Sequence, residues 1–313
     1  MKVKFLLFIL LTACSGTYLV NNKDIFYDKN LEEAFDFNLE INSDNVATDD
    51  IQNDFPDISD NGFEITDIPP SDAIDNLTGD EEVDVTVDIN CNLGISYTSL
   101  GVVEGYDPSK PPPENNPDYN LLLLGYDLVD EYKGLVFYAG DTDPLAPQFY
   151  TIFADMRTPV FLNTYRAHGW DWENNHPLPP PEPNPPNSWA VTVLGIEFEP
   201  GEIIYTPDSG YDIQYGYDAM VLFANDREIT ITYTRNDHIR VGYTIYITGI
   251  CVESSLLNLY QNLNSTGRHD LPVVRGGQPL GVARGKEVDI AIRDTATFGD
   301  PRSCKDFWAG RCP

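Results

Sequence analysis

The sequence predicts a mainly β protein, in which a disordered tether precedes a single antiparallel β-sheet or sandwich domain with one short helix. Two observations lead to this fold class. Several segments between residues 89 and 313 alternate apolar and polar side chains with period two, as half-buried strands do. Residues 21–88, in contrast, set many Asp and Glu side chains against only Lys23 and Lys29. A charge block of this kind stays solvated and does not form a core.

Predicted strands account for most of the folded part. Alternation is clearest in residues 228–234, where Ile229, Ile231 and Tyr233 would share one face and the threonines the other. Residues 241–252 and 287–293 repeat this pattern. Two more apolar segments predict buried strands: residues 190–198 and 219–224.

One helix is predicted, over residues 254–266. Its apolar residues recur at helical spacing and would form one face: Leu256, Leu257, Tyr260 and Leu263. Ser254 or Ser255 would cap its N-terminus, and Gly267 would end it.

The N-terminus has the layout of a secretory signal, with Lys2 and Lys4 before an apolar run over residues 5–11. This run is shorter than the ~20 residues of a membrane-spanning helix. It ends in Leu11-Thr-Ala-Cys14, which resembles the lipobox of bacterial lipoproteins. The resemblance implies removal of residues 1–13 and a lipid anchor on Cys14, and Ser15 favours the outer membrane. The alternative is an ordinary cleaved signal with an incidental cysteine.

After the signal we expect an acidic disordered tether over residues 14–88. A small β-rich portion over residues 89–148 would precede the main β domain at 149–313, in which a proline-rich loop spans 177–186. The formal net charge of −31 and the absence of a basic patch argue against nucleic acid as a partner.

Four cysteines remain once Cys14 is assigned to the lipid. An even number in an oxidising compartment predicts two disulfides. Cys304 and Cys312 would close a short loop, and Cys91 would then pair with Cys251. Metal binding is the alternative, but the sequence contains no Cys-x-x-Cys spacing.

Candidate chemistry centres on Trp170-Asp171-Trp172, which lies between His168 and His176. Aromatic faces stack on sugars, and His and Asp side chains ligate zinc. The segment is therefore a candidate sugar surface or metal site. The structural alternative is that both tryptophans pack under the proline-rich loop.

A family resemblance also appears over residues 160–303. Its landmarks are Arg166-Ala-His-Gly-Trp-Asp171, Gly201-Glu-Ile-Ile-Tyr-Thr-Pro-Asp-Ser-Gly210, Gly242-Tyr-Thr-Ile-Tyr246, Gly276-Gly-Gln-Pro-Leu-Gly281, Glu287-Val-Asp-Ile-Ala-Ile-Arg293 and Asp300-Pro301. Their order resembles that of the LytM/lysostaphin-like zinc metallopeptidases. The resemblance implies a LytM-like β domain with a groove that meets the bacterial cell wall.

Of the zinc-ligand positions that the family implies, only Asp171 has a counterpart. His168 is displaced by about one residue, Tyr246 is not followed by the expected histidine, and the last strand carries Glu287 and Asp289. These carboxylates would share a strand face with Arg293. We therefore expect no catalytic residues, no bound metal and no cofactor.

The resulting hypothesis is a non-catalytic envelope lipoprotein that binds peptidoglycan or a cell-wall enzyme through a degenerate groove. The candidate groove residues are Trp170, Asp171, Trp172, Tyr246, Glu287, Asp289 and Arg293. One alternative is a surface adhesin or carbohydrate-binding lipoprotein. The other is a cell-wall hydrolase with rearranged metal ligands, drawn from His168, Asp171, His176 and Asp289.

Overall fold

The computed structural model describes residues 9–13, 16–20, 89–185 and 187–313. The predicted lipidation site Cys14 lies outside the described residues, as does the predicted tether over residues 14–88 except for its residues 16–20. The chain divides into two units, Met1–Gly79 and Asp80–Pro313. In the first unit, the backbone of β1 (Ile9–Ala13) pairs antiparallel with that of β2 (Gly16–Val20).

The second unit is mainly β, as the sequence predicts. Its strands are β3 (Thr98–Gly101), β4 (Tyr126–Val129), β5 (Phe161–Ala167), β6 (Gly169–Asp171), β7 (His176–Leu178), β8 (Val193–Glu197), β9 (Ile203–Tyr205), β10 (Ala219–Ala224), β11 (Glu228–Thr232), β12 (Tyr243–Thr248), β13 (Ile250–Val252), β14 (Asp270–Val274), β15 (Pro279–Ala283), β16 (Glu287–Asp294) and β17 (Thr297–Phe298). The helices are α1 (Leu121–Leu124), α2 (Ser254–Ser265) and α3 (Cys304–Phe307).

A ten-stranded antiparallel sheet organises this unit, in the order β3-β14-β10-β11-β12-β16-β8-β5-β4, with β17 paired to β16. A smaller sheet has the order β13-β15-β9, and β6 and β7 form a hairpin. Residues 89–148, expected as a separate small portion, contribute β3 and β4, the two edge strands of the large sheet.

The five predicted strand segments all contain strands, with one interruption. Residues 241–252 divide into β12 and β13 at Gly249, whose φ of 76° breaks the ladder and lets the chain pass to the smaller sheet. The prediction of a single helix is incomplete. Helices α1 and α3 have four residues each, too few to show helical periodicity in the sequence.

Helix α2 forms where the sequence predicts it, but the expected serine cap is wrong. The Glu253 carboxylate accepts hydrogen bonds from the backbone N–H groups of Ser255, at 2.7 Å, and Leu256, at 3.0 Å. Glu253 is fully buried, so its carboxylate supplies acceptors that the first turn requires. Leu256 and Tyr260 bury the predicted apolar face against the sheet.

The large sheet has a different apolar cluster on each face. On the first face the core takes every second residue of the central strands, including Ile245 and Ile247 of β12 and Ile290 of β16. The second face carries a small cluster: Leu121, Leu124, Ala167, Val193, Tyr246 and Ala291. This second face also carries the candidate site.

Helix α1 covers part of the second face and is held there by buried polar contacts. The Glu228 carboxylate accepts a hydrogen bond from the Leu122 backbone N–H at 3.1 Å, and the Thr230 hydroxyl donates to the Tyr119 carbonyl at 2.6 Å. Glu228 is buried, and this burial raises its pKa to about 7. The helix thus forms a wall beside the sheet.

Both predicted disulfides, Cys91–Cys251 and Cys304–Cys312, are present. Cys91–Cys251 joins the start of the second unit to β13, across 160 residues of sequence. In the part of the chain that the structure describes, no helix is long and apolar enough to cross a bilayer.

Candidate functional site

A cavity of about 300 Å³ opens where the second face of the sheet meets the β6–β7 hairpin and the proline-rich loop. We call it the Arg–Trp cavity. Its lining comes from parts of the chain far apart in sequence: Pro117, Asp118, Leu124, Arg166, Ala167, His168, Gly169, Trp170, Trp172, Pro181, Asn187, Ser188, Thr192, Arg293, Ala296, Thr297 and Phe298.

Three aromatic side chains line the Arg–Trp cavity. Trp170 is half-buried and packs against the small apolar cluster, as does Phe298. Trp172 is 44% exposed, and the Lys110 Nζ lies 4.2 Å from its ring centre. The cavity therefore has one firmly packed tryptophan and one that solvent reaches.

Two guanidinium groups face the same cavity. Arg293 is buried, with 8% of its surface exposed, and Arg166 is half-buried. Their Nε atoms are both buried and have no hydrogen-bond partner among the described residues, and the same holds for the Trp170 Nε1. All three groups can only donate. Each buried donor without an acceptor costs about 1–3 kcal/mol, and these three atoms lie behind the cavity surface because almost none of their surface is accessible.

Arg293 is held from two sides. Its guanidinium carbon lies 4.1 Å from the Phe298 ring centre and 5.6 Å from the Tyr246 ring centre. Its Nη1 donates weakly to the Asp118 carboxylate at 3.3 Å and to the Ala296 carbonyl at 3.4 Å. The aromatic contacts fix the guanidinium plane, whereas the long hydrogen bonds leave much of its donor capacity unused.

Tyr246 lies beneath the cavity rather than in its wall. It is 1% exposed, and its hydroxyl donates to the Asp118 carbonyl at 2.7 Å. Burial raises the Tyr246 pKa well above its usual range. Tyr246 therefore supports Arg293 and Asp118 and does not contact a ligand directly.

Asp171 does not line the cavity, although the sequence groups it with the two tryptophans. Its Oδ1 accepts from the Glu173 and Asn174 backbone N–H groups at 2.9 and 3.0 Å, and its Oδ2 accepts from the Asn174 side chain at 2.7 Å. These bonds, the Asn174 side chain first among them, lower the Asp171 pKa. Asp171 stabilises the turn between β6 and β7.

The two histidines near the tryptophans lie in different surroundings. His176 Nε2 is 3.6 Å from Asp171 Oδ2, and its side chain is exposed. His168 lines the cavity, and its Nε2 is 3.0 Å from Asp127 Oδ1 without hydrogen-bond alignment. Asp289, the fourth proposed metal ligand, instead contacts Tyr126. Among residues 89–185 and 187–313, no three His, Cys, Asp or Glu side chains group closely enough to hold one metal ion.

Glu287 and Asp289 form a separate carboxylate pair on the same sheet face. The Tyr126 hydroxyl donates to Asp289 Oδ2 at 2.6 Å, and the Tyr165 hydroxyl donates to Glu287 Oε1 at 2.7 Å. Asn163 Nδ2 also donates to Glu287 Oε2, at 2.8 Å. Neither carboxylate lines the Arg–Trp cavity.

Gly195 on the adjacent strand β8 leaves space for this pair. A Cβ at residue 195 would overlap the Glu287 carboxylate and lie 3.2 Å from Asp289 Oδ1. That Oδ1 is buried without a partner among the described residues. Burial, with a smaller contribution from the negative charge of Glu287, raises the Asp289 pKa to about 6. Asp289 is therefore largely protonated in mildly acidic solution.

The structure thus brings three of the seven predicted site residues, Trp170, Trp172 and Arg293, into one cavity. Arg166 and Phe298 complete it and were not among the seven. Arg293 and Phe298 lie more than a hundred residues from Trp170 in sequence, and no local pattern links them. Arg166 is four residues from Trp170 and belongs to the landmark Arg166-Ala-His-Gly-Trp-Asp171, so its position in the sequence was an available signal.

Comparisons of the chain with models of protein families, with curated proteins and with solved structures found no match.

Proposed function

We propose that this chain is a non-catalytic lipoprotein of the bacterial cell envelope that binds cell-wall glycan in the Arg–Trp cavity. The supporting observation is that Trp170, Trp172 and Phe298 meet in one cavity of about 300 Å³. Aromatic rings present flat apolar faces, which pack against the C–H faces of sugar rings. The volume is at the lower end of the range for small-molecule sites, which suits one sugar unit of a longer glycan.

The location in the envelope is supported by the sequence. The lipobox-like Leu11-Thr-Ala-Cys14 would place a lipid anchor at Cys14. Ser15, the residue that follows it, favours the outer membrane as the location of this anchor. The acidic segment at residues 21–88 would then separate the anchor from the glycan-binding unit. The two disulfides of the second unit are compatible with an oxidising compartment outside the cytoplasm.

The non-catalytic part of the proposal rests on the resemblance to LytM-like peptidases. In this sequence the histidine ligands of that family have no counterparts, and the one counterpart, Asp171, stabilises a turn. These features fit a degenerate peptidase groove that still binds cell-wall material but no longer hydrolyses peptide bonds.

Retention on purified peptidoglycan sacculi tests the proposal. We expect the full-length protein in mild detergent to co-sediment with sacculi, and Trp172→Ala to reduce the bound fraction several-fold. Trp170→Ala should have at least as large an effect, with thermal melting to verify its fold because Trp170 packs against the small apolar cluster. Tyr215→Ala is the matched control, since Tyr215 is 71% exposed and lies outside the cavity. Equal retention of all four proteins would contradict the proposal.

Three further measurements separate the alternatives. A surface adhesin would respond to a glycan array and not to sacculi. A hydrolase with rearranged ligands would retain about one zinc ion per chain after equilibration and dialysis, and Asp171→Ala would abolish this binding. A partner protein such as a cell-wall enzyme would be recovered by cross-linking in the absence of sacculi.

A further inference from the structure

The Arg–Trp cavity contains more hydrogen-bond donors than its own residues can use. The Nε atoms of Arg166 and Arg293 and the Nε1 of Trp170 are buried and have no acceptor among the described residues. Arg293 is nine-tenths buried and lines the cavity. These three atoms have almost no accessible surface, so a ligand in the cavity would meet the outer Nη atoms of the two guanidinium groups. Those groups can only donate, and the ligand must therefore bring acceptors.

The charges of the cavity indicate which acceptor fits. Arg166 forms no ion pair within the described residues, and Arg293 has only the long contact to Asp118 at 3.3 Å. His168 is oriented toward Asp127, at 3.0 Å. The lining itself contains two guanidiniums and one carboxylate, and Asp127 on β4, directly across from Arg166, adds a second carboxylate nearby. An anion with two oxygens matches the planar donors of guanidinium better than a hydroxyl does.

A neighbouring cavity sets the orientation of such a ligand. This second cavity, of about 600 Å³, shares Asn187, Thr297 and Phe298 with the first. Its lining is acidic: Asp141, Asp143, Asp294, Asp300 and Asp306. Lys305 and Arg302 neutralise only Asp306 and Asp300. A ligand anion would therefore be repelled from the second cavity and drawn toward Arg166 and Arg293.

We infer that the Arg–Trp cavity is a binding site for a carboxylate-bearing sugar. The carboxylate accepts hydrogen bonds from Arg166 and Arg293, and the sugar ring lies among Trp170, Trp172 and Phe298. This inference rests on the proposed glycan-binding function and narrows it to sugar units with a free carboxylate, which in peptidoglycan are the muramic acid units that carry no stem peptide. Phe298 and Tyr246 act as positioning residues, because both rings lie beside the Arg293 guanidinium.

The test compares two sugars that differ in one group. N-acetylmuramic acid is N-acetylglucosamine with a carboxylate-bearing lactyl ether, so their relative affinity isolates the contribution of the carboxylate. We expect calorimetric titration of the full-length protein to give at least ~10-fold tighter binding of N-acetylmuramic acid, the range of a charge-assisted hydrogen bond. Arg166→Gln should remove most of this preference.

A control variant and a second arginine variant show which side chains produce the preference for N-acetylmuramic acid. Arg240→Gln is the control, because Arg240 is exposed and lies outside the cavity. Arg293→Lys keeps the charge of a buried side chain but removes the planar donors, so it should lower the preference while thermal melting confirms the fold.

Equal affinity for the two sugars would overturn the carboxylate site and leave glycan binding intact. No binding of either sugar would overturn both, and a preference that survives Arg166→Gln and Arg293→Lys would overturn the assignment to these arginines.

Discussion

Arg293 and Phe298 are directly cross-strand neighbours in the β16–β17 hairpin, and the guanidinium carbon lies 4.1 Å from the centre of the phenyl ring. The turn between these two strands therefore positions a cation in the wall of the Arg–Trp cavity. A cation–π contact of this kind contributes about 0.5–2 kcal/mol.

Replacing Phe298 should weaken the discrimination between acidic and neutral sugars. In Phe298→Ala the guanidinium of Arg293 loses one of its two aromatic contacts, so we expect the affinity ratio of N-acetylmuramic acid to N-acetylglucosamine to fall at least ~3-fold. Phe298→Tyr keeps the ring and should preserve the ratio. Calorimetric titration of both variants measures this effect, and a ratio that is the same in Phe298→Ala and the unmodified protein would exclude the positioning role.

Substitutions in the turn of the same hairpin should stabilise the folded protein. Thr295 and Ala296 have φ values of 49° and 68°, so both central residues of a two-residue turn adopt the left-handed region. This region is unfavourable for side chains other than Gly and Asn, above all for β-branched Thr. Thr295→Asn combined with Ala296→Gly should raise the free energy of unfolding by about 1–2 kcal/mol. Urea denaturation gives the value, and a decrease would show that the turn is not strained.

Asp289 should make stability depend on pH. Its pKa is raised to about 6 in the folded protein, whereas an unfolded Asp titrates near pH ~4. The folded state thus binds the proton more tightly, and stability falls as pH rises from about 4 to 6. Asp289→Asn removes this penalty and should be more stable than the unmodified protein by up to ~3 kcal/mol at pH 7.5, with little difference at pH 4.

The control for this prediction is Asp130→Asn, because Asp130 is exposed on the surface. Urea denaturation at several pH values should show parallel curves for Asp130→Asn and the unmodified protein. A constant difference between Asp289→Asn and the unmodified protein from pH 4 to 7.5 would refute the assignment of the titrating group to Asp289.

The two disulfides should contribute unequally to stability. Cys91–Cys251 closes a loop across 160 residues, whereas Cys304–Cys312 spans 8. Because the unfolded chain loses more entropy when a longer loop is closed, removal of the first bridge should cost about 4–5 kcal/mol and removal of the second about 2–3 kcal/mol. Paired Cys→Ser variants compared by thermal and urea denaturation test this order. Equal losses would mean that native contacts, and not loop length, govern the effect.

Much of the fold was readable from the sequence because the central strands have apolar side chains on one face and mainly polar ones on the other, although both faces are largely buried. Strands β11, β12 and β16 alternate apolar and polar residues, and this period shows in the sequence. The edge strands β3 and β4 are short and partly exposed, so they have no such pattern. Helices α1 and α3 were missed because a single turn provides no repeat.

The candidate site was only partly predictable. The alternation of side chains along a strand correctly placed Asp289 and Arg293 on one face of β16. Sequence spacing could not show that these two residues belong to separate clusters. Trp170 and Trp172 were conspicuous because tryptophan is rare in the chain. Arg166 is only four residues from Trp170, but Arg293 and Phe298 reach them through the pairing of β5 with β8 and of β8 with β16, and these long-range contacts have no local signature.

The position of β16 also governs how the chain can fold. This strand lies between β12 and β8, and without it the large sheet separates into β3-β14-β10-β11-β12 on one side and β8-β5-β4 on the other. Because β16 begins at Glu287, the ribosome completes strands β3 to β15 before the two halves can join. Such late, long-range closure makes folding slow and keeps the growing polypeptide open.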